Sequence, residues 1–467
     1  MNKIIIAIIF TISLCSCKVC NEYHLPKIVE KVDFRDIYST ENEISISDIS
    51  WCDFFSDPYL YNLINEALLN NYDMLIASEK IKQAEAINGM ARAAYFPDLD
   101  MSAKFEQNRL SNINPTTGEL QSNKSFAYHK DNYSLGIVTS WELDLWGKLK
   151  HNSKAKYAEM LNSYVGKHLV KTSLISSIAN SYYTLLSLDK QLEITEEMIK
   201  SMEENLNATI ILQETGYSNS AAVEQTKALL YETKATIPEL KHDIFQLENS
   251  ICSLVGRMPE NIMRSSIDKQ HFPSKISTGI PIKMISRRPD VQEAELNVRI
   301  AFEQTKVAKA NFYPAIVLNS GTIGYSSINS ISNFFSPEKM FLNIVAGITQ
   351  PIFNKKKNIT QYKVAKSEQQ ISLISFQKKV LDATIEVSNI FDLYLTTIEK
   401  YDLRNIQIEA LCKAVKHTGL LMRAGESTYL EVLTAQQGLL KAKLAQTADQ
   451  LQKMQTITDL YHALGGG

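Results

Sequence analysis

Two stretches of this chain run far longer without a helix breaker than a globular helix needs, and each follows a pair of short segments in which apolar and polar residues alternate. From Lys148 to about Thr215 there is no proline, and the one glycine is Gly166. Apolar residues recur there at three- to four-residue steps, as Leu161, Val165, Leu169, Ile175, Ala179, Tyr182 and Leu186. Lys355 to Arg423 mirrors this with Val364, Ile371, Ile374, Leu381, Ile385 and Phe391. At about 1.5 Å per residue each stretch makes a rod roughly 100 Å long, so the spacing predicts coiled-coil-like helices. Each rod ends at a glycine, Gly216 or Gly425, where positive φ is tolerated and a return helix can start.

The segments ahead of the rods have a period of two. Leu99, Met101, Ala103 and Phe105 share one face of Asp98–Glu106, with Asp98, Asp100, Ser102, Lys104 and Glu106 on the other. Tyr133 to Leu145 sets Tyr133, Leu135, Ile137, Trp141, Leu143 and Leu145 against Ser134, Gly136, Val138, Ser140, Glu142 and Asp144. Phe341–Pro351 repeats the pattern with Leu342, Ile344, Ala346 and Ile348; Ala315–Tyr325 is apolar but mixed. Alternation over about ten residues is the mark of a transmembrane barrel strand, and each segment alone also fits a soluble sandwich.

The halves can be laid over each other. Ala94-Tyr95-Phe96-Pro97 lies over Asn311-Phe312-Tyr313-Pro314, Trp146-Gly147-Lys148 over Phe353-Asn354-Lys355, and Gly216 with Val223 over Gly425 with Val432. This is a duplication. It predicts a first repeat over 57–260, with strands at about 98–107 and 133–145 and helices at about 148–215 and 218–256. A connector follows over 261–286. The second repeat covers 287–467, with strands at about 315–325 and 341–351 and helices at about 356–422 and 426–464.

The compartment is read from the start of the chain. Lys3 precedes an apolar run from Ile4 to Leu14, then Leu14-Cys15-Ser16-Cys17. That is a signal peptide over 1–16, too short to span a bilayer as a helix. Leu-x-Ser-Cys resembles the bacterial lipobox, which makes Cys17 the acylated first residue of a lipidated segment over 17–56, held by its acyl chains. Cys20, Cys52, Cys252 and Cys412 have neither CxxC nor His spacing and read as unpaired, structural thiols, with a disulfide in an oxidising periplasm as the alternative that the sequence does not pair.

Four strands cannot close a barrel, and open sheet edges are not tolerated in lipid. Membrane strands therefore require several copies. Two copies would give eight strands with a filled interior; three or more would enclose an aqueous lumen, with the helical rods continuing the tube in the periplasm.

The motifs agree with one family. Arg287-Arg288-Pro289-Asp290-Val291 with Ala294-Glu295, Ala301, Ala308 and Phe312-Tyr313-Pro314 stand in order. So do Trp51 to Asn71, Trp141-Glu142-Leu143-Asp144-Leu145-Trp146-Gly147-Lys148, Ile237-Pro238-Glu239-Leu240 and Leu254-Val255-Gly256-Arg257-Met258-Pro259. Over about residues 50–465 the chain resembles the outer membrane factors, TolC-like efflux lipoproteins of the OprM/NodT type. The resemblance implies an α+β membrane protein: four strands per protomer in a homotrimeric twelve-stranded barrel, above an α-helical periplasmic barrel. It implies outer-membrane lipid around the strands, a periplasmic membrane-fusion adaptor and an inner-membrane pump of RND or ABC type. It implies no cofactor and no enzymatic activity. The function it implies is the outer-membrane channel of a tripartite efflux system, with type I protein secretion as the alternative.

The family's periplasmic tip meets the adaptor and closes the channel. By that resemblance Gly216, Tyr217 and Gly425 are docking residues, and Glu431, Arg423 and Glu426 belong to the gate. Glu431 takes one family carboxylate position, while Thr434 stands at the second, so a double acidic ring is not expected; a solvated surface role for Glu431 stays open. Locally, Pro289 fits a first helical turn and Asp290 favours the positive helix end, a structural reading of the Arg-Arg-Pro-Asp motif. The formal charge of −2 and the lack of a basic run give no reason to expect nucleic acid. No GxSxG, HExxH, P-loop or Rossmann fingerprint occurs, and the eight histidines are scattered without metal-ligand spacing.

Overall fold

Two strands followed by two long helices occur twice along the chain, and the four strands form one small sheet. The computed structural model describes residues 23, 49–109, 129–270, 272, 286–424 and 426–466. The expected signal peptide, Cys17, Cys20, Gly425 and most of the connector lie outside the described residues. In chain order the elements are α1 (Trp51–Phe54), α2 (Pro58–Asn70), α3 (Tyr72–Ala93), β1 (Asp98–Arg109), β2 (His129–Leu143), α4 (Lys148–Glu214) and α5 (Ser220–Val255), then α6 (Pro289–Ala310), β3 (Ala315–Ile328), β4 (Met340–Thr349), α7 (Lys357–Arg423) and α8 (Tyr429–Ala463). The chain divides into two compact units. One takes in 1–26, 83–161 and 296–373, the other 27–82, 162–295 and 374–467.

The first unit holds an antiparallel sheet of order β1-β2-β3-β4. Asp98 faces Ser140, and the β1–β2 pairing runs without a break to Arg109 and His129. β3 carries a bulge: both its pairings shift register between Leu318 and Gly321. One extra residue moves the apolar positions from Ile316 and Leu318 to Ile323 and Tyr325, which is why β3 reads as mixed in the sequence. At the foot of the sheet the Trp146 ring stacks on Tyr313 at 4.8 Å, and its Nε1 donates to the Pro314 carbonyl at 2.7 Å. The Asp144 carboxylate accepts from the backbone of Leu149 and Lys150, capping α4.

The two repeats differ at this point from the sequence overlay. Gly147 is left-handed (φ 75°) and α4 begins at the next residue; in the second repeat the left-handed residue before α7 is Lys356 (φ 66°), two positions beyond Asn354. Lys355 is left-handed as well (φ 54°). The Trp-Gly-Lys overlay is therefore out by two, because lysines here adopt a backbone that glycine adopts in the first repeat.

In the second unit four helices share one core. Ile194, Met198 and Met202 of α4, Leu229 and Leu230 of α5 and Leu439 of α8 form it, with Ile408, Leu411 and Val415 of α7 packed alongside. The Pro at position 238 lies within α5. At the other end of this unit Asp57 caps α2, accepting from Tyr59 N at 2.9 Å. Its carboxylate is buried, and it also accepts from Tyr182 Oη at 2.8 Å, Gln270 Nε2 at 2.7 Å and Ser265 Oγ. Burial pushes this carboxyl up, but the four hydrogen bonds outweigh it and hold it below the usual range. Asp57→Asn leaves donors facing an amide and is expected to cost about 1–3 kcal/mol at pH 7. The folded value is depressed, so this contribution is present above the unfolded carboxyl range and fades as pH falls through the lowered one. Helical CD melts of both proteins should therefore differ at pH 7 and converge toward pH 3; an equal gap at both pH values would refute this role.

Candidate functional site

The sheet has one apolar and one polar face, set by the pairing register. Opposite residues point to the same side. Met101 faces Ile137, Ile137 faces Ile323, and Ile323 faces Leu342, a continuous apolar row across four strands. Leu99, Phe105, Ile344 and Ile348 extend that face, and all are exposed in the single chain. The other face carries Asp98, Asp100, Ser102, Lys104 and Glu106 on β1, with Ser134, Ser140 and Glu142 on β2. Lys104 pairs with Glu106 at 3.0 Å, and Lys148 with Glu142 at 2.9 Å. No helix among the described residues is long and apolar enough to cross a membrane. An exposed apolar face of this extent opposite a charged one fits hydrocarbon on one side and water on the other.

The helix turns lie in the second unit. Gly216 (φ 83°) closes α4, with Tyr217 N donating to Leu212 O at 2.8 Å. A side chain at Gly216 would meet nothing within 4 Å, and Tyr217 is 80% exposed. Asn219 then caps α5 through Ala222 N. At the second turn, Arg423, Glu426 and Glu431 are exposed. Ser427 Oγ donates to the Glu431 carboxylate, whereas among the described residues Arg423 and Glu426 form no ion pair. Thr434 spends its hydroxyl on Leu430 O at 2.7 Å. The sequence reading missed two links between the return helices and their neighbours. Tyr429 Oη donates to Gln225 Oε1 at 2.9 Å, joining the two turns. Asn205 donates to the buried Gln436, which donates to Ser201 Oγ, each at 3.3 Å. Such a polar layer inside an apolar seam fixes helix register, and only its helical spacing from the core could have flagged it.

The Arg-Arg-Pro-Asp stretch sits at the start of α6, away from these turns in sequence. Arg287 is exposed, Pro289 is the first helical residue, and Arg288 is buried. Cys52 and Cys412 are exposed and Cys252 buried; all three are free thiols. Among the described residues no group of three His, Cys, Asp or Glu side chains could hold a metal ion.

Comparison with known proteins places this geometry. The family model described as outer membrane efflux protein matches residues 63–257 and 281–466. The probable outer membrane lipoprotein SilC of Salmonella typhimurium is 28% identical over 427 residues, 91% of this chain and 89% of that protein. The cation efflux system protein CusC of Escherichia coli is 26% identical over 463 residues, 98% and 97% of the two chains. The open-state crystal structure of the Neisseria gonorrhoeae MtrE outer membrane channel superposes with a TM-score of 0.84 at 26% identity, covering 97% of this chain and 98% of that one.

Proposed function

The chain belongs to the outer membrane efflux protein family and is the outer-membrane component of an efflux system, and on that premise we propose that three copies close one channel whose gate lies at the second helix turn. The observation that carries the reading is the four-stranded sheet with an exposed apolar face and two unpaired edges. Three copies supply twelve strands, enough for a water-filled lumen lined by the charged face. The lipid-facing side is the row from Met101 to Leu342, and Cys17 adds an acyl anchor. A periplasmic adaptor docks on the turns at Gly216, Tyr217 and Gly425 and links the channel to an inner-membrane pump of RND or ABC type.

Three copies of Glu431 around one axis set like charges close together and favour cations. Arg423 and Glu426, without ion-pair partners among the described residues of one copy, are available for contacts between copies that hold the closed state. Planar-bilayer recordings test this. Glu431→Ala is expected to lower cation selectivity, and Arg423→Ala to raise single-channel conductance several-fold. Wild-type conductance and selectivity in both variants would overturn the gate. Heat-modifiable, SDS-resistant oligomers in the outer-membrane fraction test the assembly itself.

A further inference from the structure

The sheet leaves β1 open on one side and β4 on the other. In hydrocarbon those edges must find partners, because unpaired N–H and C=O groups there have no water to bond. The chain holds its own template for such a closure. The β2–β3 seam joins the second strand of one repeat to the first strand of the next. A seam between copies joins β4 to the next protomer's β1, again a second strand to a first.

The equivalences follow from the pairing inside each repeat. Asp98 follows Pro97 and faces Ser140; Ala315 follows Pro314 and faces Thr349. Asp98 thus corresponds to Ala315, and Ser140 to Thr349. The same offset carries left-handed Gly147 onto left-handed Lys356 and the start of α4 at Lys148 onto the start of α7 at Lys357, a separate check on the alignment.

In the internal seam Leu143 faces Ile316 and Trp141 faces Leu318. We propose that copies of this chain join in the corresponding register, with Ile352 facing the next protomer's Leu99 and Gln350 facing the next protomer's Met101. β1 pairs with β2 without a bulge, so the register runs on to set Ile348 against Ala103 and Ala346 against Phe105. These are apolar-face residues on both strands, so the seam continues the apolar and polar faces unbroken; a slip of one residue would turn one strand over. The same register extends β4. In one copy it stops at Thr349, and Ile352 beyond it is 97% exposed, as are Leu99 (70%) and Met101 (77%) on the other edge. Strand pairing through Gln350–Ile352 matches β2, which runs to Leu143, the residue equivalent to Ile352.

The inference rests on the trimeric reading above, and the experiment separates the two. With Cys20, Cys52 and Cys412 replaced by Ser, Gln350→Cys is combined with Met101→Cys, Leu99→Cys or Ala103→Cys. Outer membranes are oxidised and run on a non-reducing denaturing gel. Directly opposed Cβ atoms lie about 4.5–5.5 Å apart and can be bridged after a small adjustment, while diagonal pairs at about 7–8 Å cannot. The expected result is covalent dimer and trimer from the 350/101 pair, with both diagonal pairs and the Gln350→Cys single variant remaining monomers. Preferential cross-linking of 350/99 or 350/103, with native oligomer intact before denaturation, overturns the register and leaves the trimer standing. Absence of any oligomer in the unsubstituted protein overturns the trimer and the seam together.

Discussion

Replacing Arg288 by alanine is expected to cost about 3–5 kcal/mol of stability, the usual result of removing one partner from a buried ionic group. Arg288 is 6% exposed. Its Nε and Nη2 make a two-pronged contact with Asp290 at 3.0 and 2.9 Å, Nη2 also reaches Glu386 at 2.6 Å, and Nη1 donates to the Ala463 carbonyl at 2.9 Å. One side chain thus ties the start of α6 to α7 and to the last turn of α8. Burial pushes the Asp290 carboxyl up, yet its hydrogen bonds with Arg288 and Lys379 prevail and hold it at about 2. Burial lowers His462, and the nearby Arg288 charge lowers it further. Alanine leaves Asp290 with Lys379, 3.1 Å away, and the Val291 backbone N–H, and removes the donor to Ala463 O. Lysine keeps the charge without the two-pronged geometry and is expected to recover less than half of the loss. The sign with pH is fixed by Asp290. Its folded value lies below the unfolded 3.8, so the contribution is full above that value and is lost as pH falls toward 2. Helical CD melts of wild type, Arg288→Ala and Arg288→Lys at pH 7 and pH 3 check both statements; an Arg288→Ala midpoint within a degree of wild type at pH 7 would show that the cluster is dispensable.

The Arg-Arg-Pro-Asp run shows what sequence can and cannot disclose. Pro289 and Asp290 mark a helix start by local rules, and α6 starts there. That Arg288 also reaches Glu386 and Ala463 depends on packing between residues far apart in sequence, which no local pattern encodes. The strands divide in the same way. β1 and β2 show clean alternation because each is regular, whereas the bulge at Asn319 and Ser320 breaks the period in β3. The rods were legible from their missing breakers, and the end of α4 from Gly216. The start of α7 was not, since Lys355 and Lys356 adopt positive φ without glycine to signal it. Asp57 stands in an ordinary Ser-Asp-Pro helix start, and its partners Tyr182, Ser265 and Gln270 come from distant segments. The first helix turn followed from Gly216, whereas the Ser427 hydroxyl on Glu431 and the Tyr429 link to Gln225 carry no sequence signal.

The second large effect is expected at Gly324, and it should separate the membrane element from the rods. Gly136 and Gly324 face each other in the β2–β3 seam that joins the two repeats. A Cβ at Gly324 would lie 2.2 Å from the Leu135 carbonyl oxygen and 2.5 Å from Gly136 Cα; one at Gly136 would lie 2.7 Å from the Ile323 carbonyl oxygen. These are backbone atoms, so only separating the strands relieves the overlap. Overpacking of this kind costs about 1–3 kcal/mol per site, and each ring of three copies contains the seam three times. Gly324→Val should therefore reduce the SDS-resistant oligomer at least about tenfold, since every 1.4 kcal/mol is a factor of ten. Gly166→Ala is the matching control. Nothing lies within 4 Å of a Cβ there, the residue is inside α4, and alanine should hold or raise the melting midpoint. The sheet carries the exposed apolar row from Met101 to Leu342, while the helical core of Met198, Met202, Leu230 and Leu439 is formed without it. Gly324→Val should then keep a helical CD spectrum near wild type while losing oligomer and conductance together. Wild-type oligomer yield in Gly324→Val would show that the seam tolerates a side chain and that the close approach of the two glycines does not set the barrel.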